Sequence, residues 1–417
     1  MRKKRLFLTL LLCCFSVFAL AMSFMGEQLK VSFIGAVYAS PNTIYVPDNS
    51  TTIKGAVNMA NPNDTIIVRA GFYSENNITI TKTVRLISEV PLRAVIDGGG
   101  KTFPIVNIAA SCVEIAGFVI QNGSNWPILQ GAVQVVNGSV GVVIRGNVLT
   151  KSYYGVFLMK SNKCSVLDNT IVDNYAMGIR FTSNSSYHRI IGNTIKNNPT
   201  GVYIADAAQS NVFYHNNFIS NSGQEQNFAA STVWNNSAEG NYWSNYAGLD
   251  VNGDGIIDLP HDLTTGTDYF PLVEPWSYVR FYNVLGQTVS TYSNTTVASF
   301  YFNQSAKEIG FNVTGPAGET GFVNVTIPKN LLWVNVGEDW TVSIDYVVLP
   351  PPSGYSVSGN ATHTFVYVPY GLSAHRVQIV GTQVVPEFPS VIAPLMFIVA
   401  TFAMVVLVGK TRRTIKH

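Results

Sequence analysis

Asp250, Asn252, Asp254 and Asp258 place oxygen-bearing side chains at positions 1, 3, 5 and 9 of a loop, with Gly255 at position 6. Ca²⁺ takes six to eight oxygens, and a loop of this spacing wraps it, adding the backbone carbonyl at position 7. Here that carbonyl belongs to Ile256. The expected ligands are therefore Asp250, Asn252, Asp254, Ile256 and Asp258, holding a structural Ca²⁺. Position 12, where a bidentate Glu completes such loops, is His261, so neighbouring Asp262 or Asp268 has to substitute. The alternative is a tight Asx-turn loop that closes the fold without metal.

Other candidate chemistry is sparser. Glycoside hydrolysis needs two carboxylates about 5–9.5 Å apart, and Asp168, Asp173 and Asp206 do not form an outward pair repeated along the chain. His188, His215, His261, His363, His375 and His417 are scattered without metal-ligand spacing. No catalytic residue is assigned. Cys13 and Cys14 lie in an N-terminal apolar run. Cys112 and Cys164 fall about two repeat units apart, roughly 10 Å at 4.8 Å per step. A disulfide needs Cα atoms within about 7 Å, so two free, mostly buried thiols are expected.

The elements that must position these residues come from a repeat. Segments beginning at Val113, Val142, Ser165, Arg189 and Val212 align, and Asn147, Asn169, Asn193 and Asn216 recur at 22, 24 and 23 residues. Gly155, Gly178 and Gly201 recur at 23 and 23. Each period holds two or three short alternating strands, which stack to bury a shared core. Ile115, Ile144, Val166, Ile190 and Phe213 should line one inner wall. Val156, Leu158, Ile179, Phe181, Val202 and Ile204 should line another. The asparagines should form a ladder of side-chain amides, and the glycines should permit a sharp corner. In this register Phe157, Arg180 and Tyr203 stack outward, near Tyr153, Tyr154 and Tyr175. They are glycan-contact candidates, with plain cross-strand packing as the alternative.

The segment from Thr51, with a short helix at about Ile53 to Met59, then Asp64-Thr65-Ile66-Ile67-Val68 and Gly71-Phe72-Tyr73, resembles the opening of pectin-lyase-like right-handed parallel β-helices. The coils that follow, and the block from Gly240, resemble the NosD-like branch of that superfamily. Together the resemblance covers about 230 residues. The repeats contain neither the Gly-His-Gly nor the Arg-x-Lys of polygalacturonase-type stacks. The NosD resemblance implies copper handling, which the scattered histidines do not support. From Trp276 the chain turns to alternating strands with Gly/Pro turns, including a loop at Pro350-Pro351-Pro352, and predicts a small β-sandwich. Similar sandwiches follow NosD-like stacks in archaeal surface proteins.

Only 12% of residues are charged and the formal net charge is +2. No basic stripe or nucleic-acid motif appears. Arg2, Lys3, Lys4 and Arg5 before an apolar run read as an export segment. Val391 to Val408 is uncharged over 18 residues and is followed by Lys410, Arg412, Arg413 and Lys416. That is a membrane span with a cytoplasmic basic tail. Pro386-Glu387-Phe388 ahead of it resembles the archaeal PEF-type sorting signal, which implies cleavage by an archaeosortase and transfer to lipid. Sequons begin at Asn49, Asn63, Asn77, Asn122, Asn137, Asn184, Asn235, Asn294, Asn303, Asn312, Asn324 and Asn360 and are glycosylation candidates if the chain is exported.

The expectation is an all-β chain: export segment at 1–39, right-handed parallel β-helix at 40–275, β-sandwich at 276–382, sorting linker at 383–390, transmembrane anchor at 391–409 and basic tail at 410–417. Its expected function is that of a cell-surface structural or glycan-contacting module. The alternatives are a polysaccharide lyase or glycoside hydrolase, and a NosD-like maturation factor for a metalloenzyme.

Overall fold

A computed structural model describes residues 41–386 except 126–129, 137, 253, 316 and 319. The expected export segment, Glu387, Phe388, the apolar span and the basic tail lie outside the described residues. No helix among the described residues is long and apolar enough to cross a membrane.

Three parallel sheets of eight, eight and seven strands wrap a common core. Each coil contributes one strand to each sheet, so the period holds three strands. One wall pairs Ile115, Ile144, Val166, Ile190 and Phe213 in successive register. A second pairs Val156 with Ile179 and Val202, and Leu158 with Phe181 and Ile204. The third, built on Ile120, Leu149, Ile171, Ile195 and Phe218, is a wall that the sequence pattern alone does not single out. All of these side chains are 0% exposed. Alternation within each short strand sends every second residue inward, and stacking then removes it from water.

Side-chain ladders run along the corners. Asn147 Nδ2 donates to Asn169 Oδ1, Asn169 Nδ2 to Asn193 Oδ1, and Asn193 Nδ2 to Asn216 Oδ1, each at 3.0 Å. Asn216 Nδ2 continues to Asn241 Oδ1 at 2.9 Å. A second ladder joins Asn174, Asn198 and Asn221. These buried amides satisfy corner backbone groups that the sheets leave unpaired.

The glycine column has a different cause from the expected corner. Gly155, Gly178 and Gly201 lie inside strands Tyr154–Leu158, Met177–Phe181 and Thr200–Ile204. A Cβ on Gly178 would sit 2.5 Å from the Gly201 carbonyl and 2.8 Å from Ile195 Cγ2. Close approach between coils, not a bend, requires glycine there. The cysteines also differ from expectation in part: both are free, but Cys112 is exposed and only Cys164 is buried.

Helix α1, Ile53–Met59, covers the first coils with Ile53, Ala56 and Val57. The Glu75 carboxylate accepts its first two N–H groups, from Ile53 at 2.8 Å and Lys54 at 2.9 Å, and Thr52 Oγ1 accepts that of Gly55. Three of the four orphan donors of a helix start are thereby met. At the other end Trp234 packs on Phe213 and Trp243 on Phe218, with centroids 4.6 and 4.3 Å apart.

Beyond the closing block, two five-stranded antiparallel sheets pack as a sandwich. Ile309, Phe311, Val323, Val325, Val366, Val368, Val377 and Ile379 form its fully buried core. The link to the β-helix is specific. Trp276 stacks on the His215 ring at 3.7 Å, His215 Nε2 lies 2.8 Å from Glu239 Oε2, and Glu239 Oε1 accepts the Thr296 N–H at 2.9 Å.

Candidate functional site

The seven-stranded sheet of the second wall, containing strands Val106–Ile108, Gly131–Val135, Tyr154–Leu158, Met177–Phe181, Thr200–Ile204 and Gly223–Asn227, carries the candidate row. Because inward residues alternate with outward ones, one outward residue per coil falls in register: Asn107, Gln134, Phe157, Arg180, Tyr203 and Gln226. Five steps of about 4.8 Å make the row roughly 24 Å long.

Arg180 is its centre. The guanidinium carbon lies 5.2 Å from the Tyr154 ring centroid, 5.7 Å from that of Phe157 and 5.4 Å from that of Tyr203. Its Nη1 donates to Tyr154 Oη. Burial pushes the Tyr154 phenol above its ordinary value, with Arg180 partly opposing. Such cation–π contacts hold the guanidinium against the wall.

The stacking of Phe157, Arg180 and Tyr203 is as expected, but Phe157 does not face solvent. It is 1% exposed, packed on Tyr154 at 5.2 Å and lying under Arg180. Arg180 and Tyr203 are half-buried and Gln226 is exposed, with Phe228 beside Tyr203 at 5.6 Å.

Four polar atoms on or beside this row are buried and make no hydrogen bond: Asn107 Oδ1, Gln130 Oε1, Gln134 Oε1 and Arg180 Nε. A cleft of about 500 Å³ follows, lined by Arg180, Ser183, Tyr203, Asp206 and Phe228 among others. Asp206 accepts from Ser183 Oγ at 3.2 Å and is the only carboxylate among the described residues lining that cleft. Asp168 instead accepts the Tyr278 hydroxyl at 3.1 Å. Burial raises the Asp168 carboxyl above its ordinary range.

Asn107, Gln130, Gln134 and Phe228 are the residues sequence reasoning missed. The strand starting at Glu114 is followed 29 residues later by its partner at Val143. The regular period of about 23 therefore does not align the early coils with the later ones.

In the Asp-rich loop the expected side chains accept hydrogen bonds from the loop's own backbone. Asp250 Oδ1 accepts the Asp254 N–H at 3.1 Å and Oδ2 the Gly255 N–H at 2.9 Å. Asn252 Oδ1 accepts from Asp254 N at 3.0 Å, Asp254 Oδ1 from Ile256 N at 2.9 Å and Asp258 Oδ2 from Val251 N at 2.8 Å. Burial raises the Asp254 carboxyl above its ordinary value, and the charges of Asp250 and Asp258 add to the rise.

Neither Asp268 nor His261 completes this loop. Asp268 Oδ2 accepts from Asn241 N, Asn241 Nδ2 and Trp243 Nε1, at 2.8, 3.3 and 2.9 Å. His261 stacks on Tyr246 at 4.2 Å.

Among the described residues no group of three or more His, Cys, Asp or Glu side chains is arranged to hold a metal ion. Three of the described histidines have other partners. His188 Nδ1 accepts the Cys164 N–H, His215 faces Glu239, and His375 faces Asp345. These residues do not fit a copper centre.

Residues 114–248 match the family model described as "Periplasmic copper-binding protein (NosD)". Over 89 residues the chain is 32% identical to the probable ABC transporter binding protein NosD of Pseudomonas aeruginosa, covering 21% of each protein. It is 30% identical over 89 residues to the protein of the same description from Stutzerimonas stutzeri, covering 21% of this chain and 20% of that one. The chain thus spans about a fifth of the length of the curated relatives it matches. Among solved structures, pectate lyase Pel9A aligns with a TM-score of 0.35 and 13% identity, over 47% of this chain and 68% of that one. The A-module of the Azotobacter vinelandii mannuronan C-5 epimerase AlgE6 aligns with a TM-score of 0.27 and 14% identity, over 46% and 53%. The chain carries a NosD-like parallel β-helix.

Proposed function

We propose that this chain is an exported surface protein whose NosD-like β-helix contacts polysaccharide along the row from Asn107 to Gln226. The supporting observation is the row itself. It sets a planar cation, Arg180, between the rings of Tyr154 and Tyr203, with the exposed amide of Gln226 two coils on. Sugar hydroxyls donate to amide oxygens and accept from a guanidinium, and ring C–H faces lie on aromatics. Contacts on the successive coils of Arg180, Tyr203 and Gln226 suit an extended polymer better than a compact ligand.

Export and C-terminal anchoring, with sorting through Pro386, Glu387 and Phe388, belong to the same proposal and rest on the charge and hydropathy of the two ends. A structural Ca²⁺ held by Asp250, Asn252, Asp254, Asp258 and the Ile256 carbonyl is part of it too, supported by the oxygen spacing of the loop.

The test is retention of the full chain, in detergent, on a polysaccharide array. Retention on at least one neutral or acidic polysaccharide, lowered at least ten-fold by Arg180→Ala and Tyr203→Ala, supports the reading. No retention on any polysaccharide, or retention unchanged by both substitutions, overturns it.

A further inference from the structure

Two links at the edge of the sandwich lie side by side. Strands His363–Gly371 and His375–Val380 belong to its two different sheets, and Leu372, Ser373 and Ala374 carry the chain across between them. Leu372 is buried in the core and anchors this link, while Ser373 is half-buried and Ala374 exposed. Beside it, strands Thr341–Ile344 and Val347–Val348 are joined by Asp345 and Tyr346, with φ of 50° and 68°. Positive φ at both positions is what a two-residue type I′ hairpin turn requires. That turn is pinned to the strand of His375. Asp345 N–H donates to the Arg376 carbonyl, and Asp345 Oδ1 accepts the Arg376 N–H, each at 2.9 Å.

The two links bring together Ser373, His375 and Asp345. His375 Nδ1 lies 2.7 Å from Asp345 Oδ2, and His375 Nε2 lies 2.8 Å from Ser373 Oγ. Both distances are within reach for proton transfer. Burial tends to raise the Asp345 carboxyl, but the Arg376 N–H and the His375 ring outweigh it and hold it below its ordinary value. An ionised carboxylate can only accept, so in the neutral ring Nδ1 carries the proton and Nε2 is left as the acceptor for the Ser373 hydroxyl. The Gly371 carbonyl lies 2.8 Å from the same Nε2 and accepts its proton once the ring is charged. The group is open to solvent: the side chains of His375 and Asp345 are 21% and 52% exposed.

A hydroxyl, a base in contact with it and a carboxylate that orients the base are the parts that activate a serine for acyl transfer. Ser373 and Ala374 also line a cavity of about 430 Å³, together with Asp254, Asp258, Tyr269 and Phe270. Carboxylates on that wall disfavour an anionic substrate, and the two rings suit an apolar acyl group. Among the described residues the Ala374 N–H makes no hydrogen bond, which leaves it for an oxygen on which charge develops.

We propose that Ser373 and His375, positioned by Asp345, hydrolyse small neutral carboxylic esters. Ser373 Oγ attacks the acyl carbon while Nε2 takes the hydroxyl proton. The tetrahedral adduct collapses, the C–O bond to the alcohol breaks, and the leaving oxygen takes the proton from Nε2. Water then attacks the acyl-serine, giving a proton to Nε2. Collapse releases the carboxylic acid and returns that proton to Oγ. These residues are separate from the outer-wall row, and the proposal stands independently of it.

The experiment is treatment of the full chain, in detergent, with a fluorophosphonate, followed by peptide mass spectrometry, and p-nitrophenyl acetate hydrolysis by the same preparation. A phosphonyl adduct should form on Ser373 and be lost in His375→Gln. Hydrolysis should fall at least ten-fold in Ser373→Ala and in His375→Gln. Asp345→Asn keeps an acceptor for the Arg376 N–H but presents an amide NH₂ to Nδ1, which moves the ring proton to Nε2. It should lower kcat at least ten-fold and leave KM unchanged, a split that mere loosening of the turn would not give. Circular dichroism checks folding, and His375→Gln serves if Ser373→Ala does not fold. No adduct on Ser373, an adduct that persists in folded His375→Gln, or hydrolysis unchanged in the folded variants overturns the proposal and leaves these contacts a turn motif.

Discussion

His188 Nδ1 accepts the backbone N–H of Cys164 at 3.0 Å, in a corner column where the next coil presents Asn211 Oδ1 to the N–H of His188 at 2.9 Å. An imidazole thus replaces an asparagine in a ladder of acceptors. It must stay neutral to accept, and burial holds its pKa down at about 4, against an ordinary 6.5. Because the folded value is depressed, its stabilising contribution is complete above pH 6.5 and is lost as pH falls through about 4. The full linkage amounts to about 3 kcal/mol. His188→Asn keeps an acceptor in place and removes the titration. Urea unfolding at pH 7 and pH 4.5 should show the variant losing less stability on acidification than the parent. An equal loss would contradict this.

Asp268 works in the opposite sense. Burial raises its carboxyl from 3.8 to about 6, so its contribution is complete below about pH 4 and is lost as pH rises through 6. It too amounts to about 3 kcal/mol. The two groups therefore offset each other between about pH 4 and 6.5. Asp268→Asn should destabilise by roughly 1–3 kcal/mol, because an NH₂ group meets donors on one side. It should also make the remaining profile steeper in acid. A slope unchanged from the parent would refute the assignment.

Gly178 should tolerate no side chain. A Cβ at that position, 2.5 and 2.8 Å from its nearest neighbours, would force adjacent coils apart, and overpacking of this kind costs about 1–3 kcal/mol. Gly178→Ala should lower the urea midpoint accordingly, whereas Gly138→Ala, whose Cβ meets nothing within 4 Å, should cost less despite a φ of 71°. The reverse order would show that coil spacing is not the constraint.

For calcium, thermal melting of the full chain with chelator and with about 10 mM Ca²⁺ is decisive. A loop of extracellular affinity, about 10⁻⁴ to 10⁻³ M, should gain roughly 1.4–2.7 kcal/mol at that concentration. Asp250→Ala should abolish the gain. Identical melting in both buffers would leave the loop a metal-free turn.

Much of the stack was legible because its inner walls are periodic: Ile144, Val166 and Ile190 repeat with the coil, and the asparagines mark its corners. Cap helix α1 was legible from its place before Asp64-Thr65-Ile66. What escaped depends on contacts that no period encodes. Phe157 is buried because Tyr154, three residues earlier in the same coil, packs against it. Asp268 ends the asparagine ladder from beyond the last regular coil, so proximity in sequence to Asp258 suggested the wrong partner. The bond from the Thr296 N–H to Glu239 joins segments on either side of the domain boundary, where neither repeat nor sandwich pattern applies.

The asparagine ladder also has a polarity. Every amide from Asn147 to Asn216 gives its N–H to the following coil, and from Asn169 onward each offers its oxygen to the preceding one. The ladder therefore arrives at Asn241 with donors in hand, and a carboxylate that can only accept terminates it. A coil inserted between Asn193 and Asn216 would preserve that arrangement if it carried its own asparagine. One appended after Asn241 would have to displace Asp268 and supply a new acceptor. Length is thus free to vary in the interior of the stack, while the end is chemically specified.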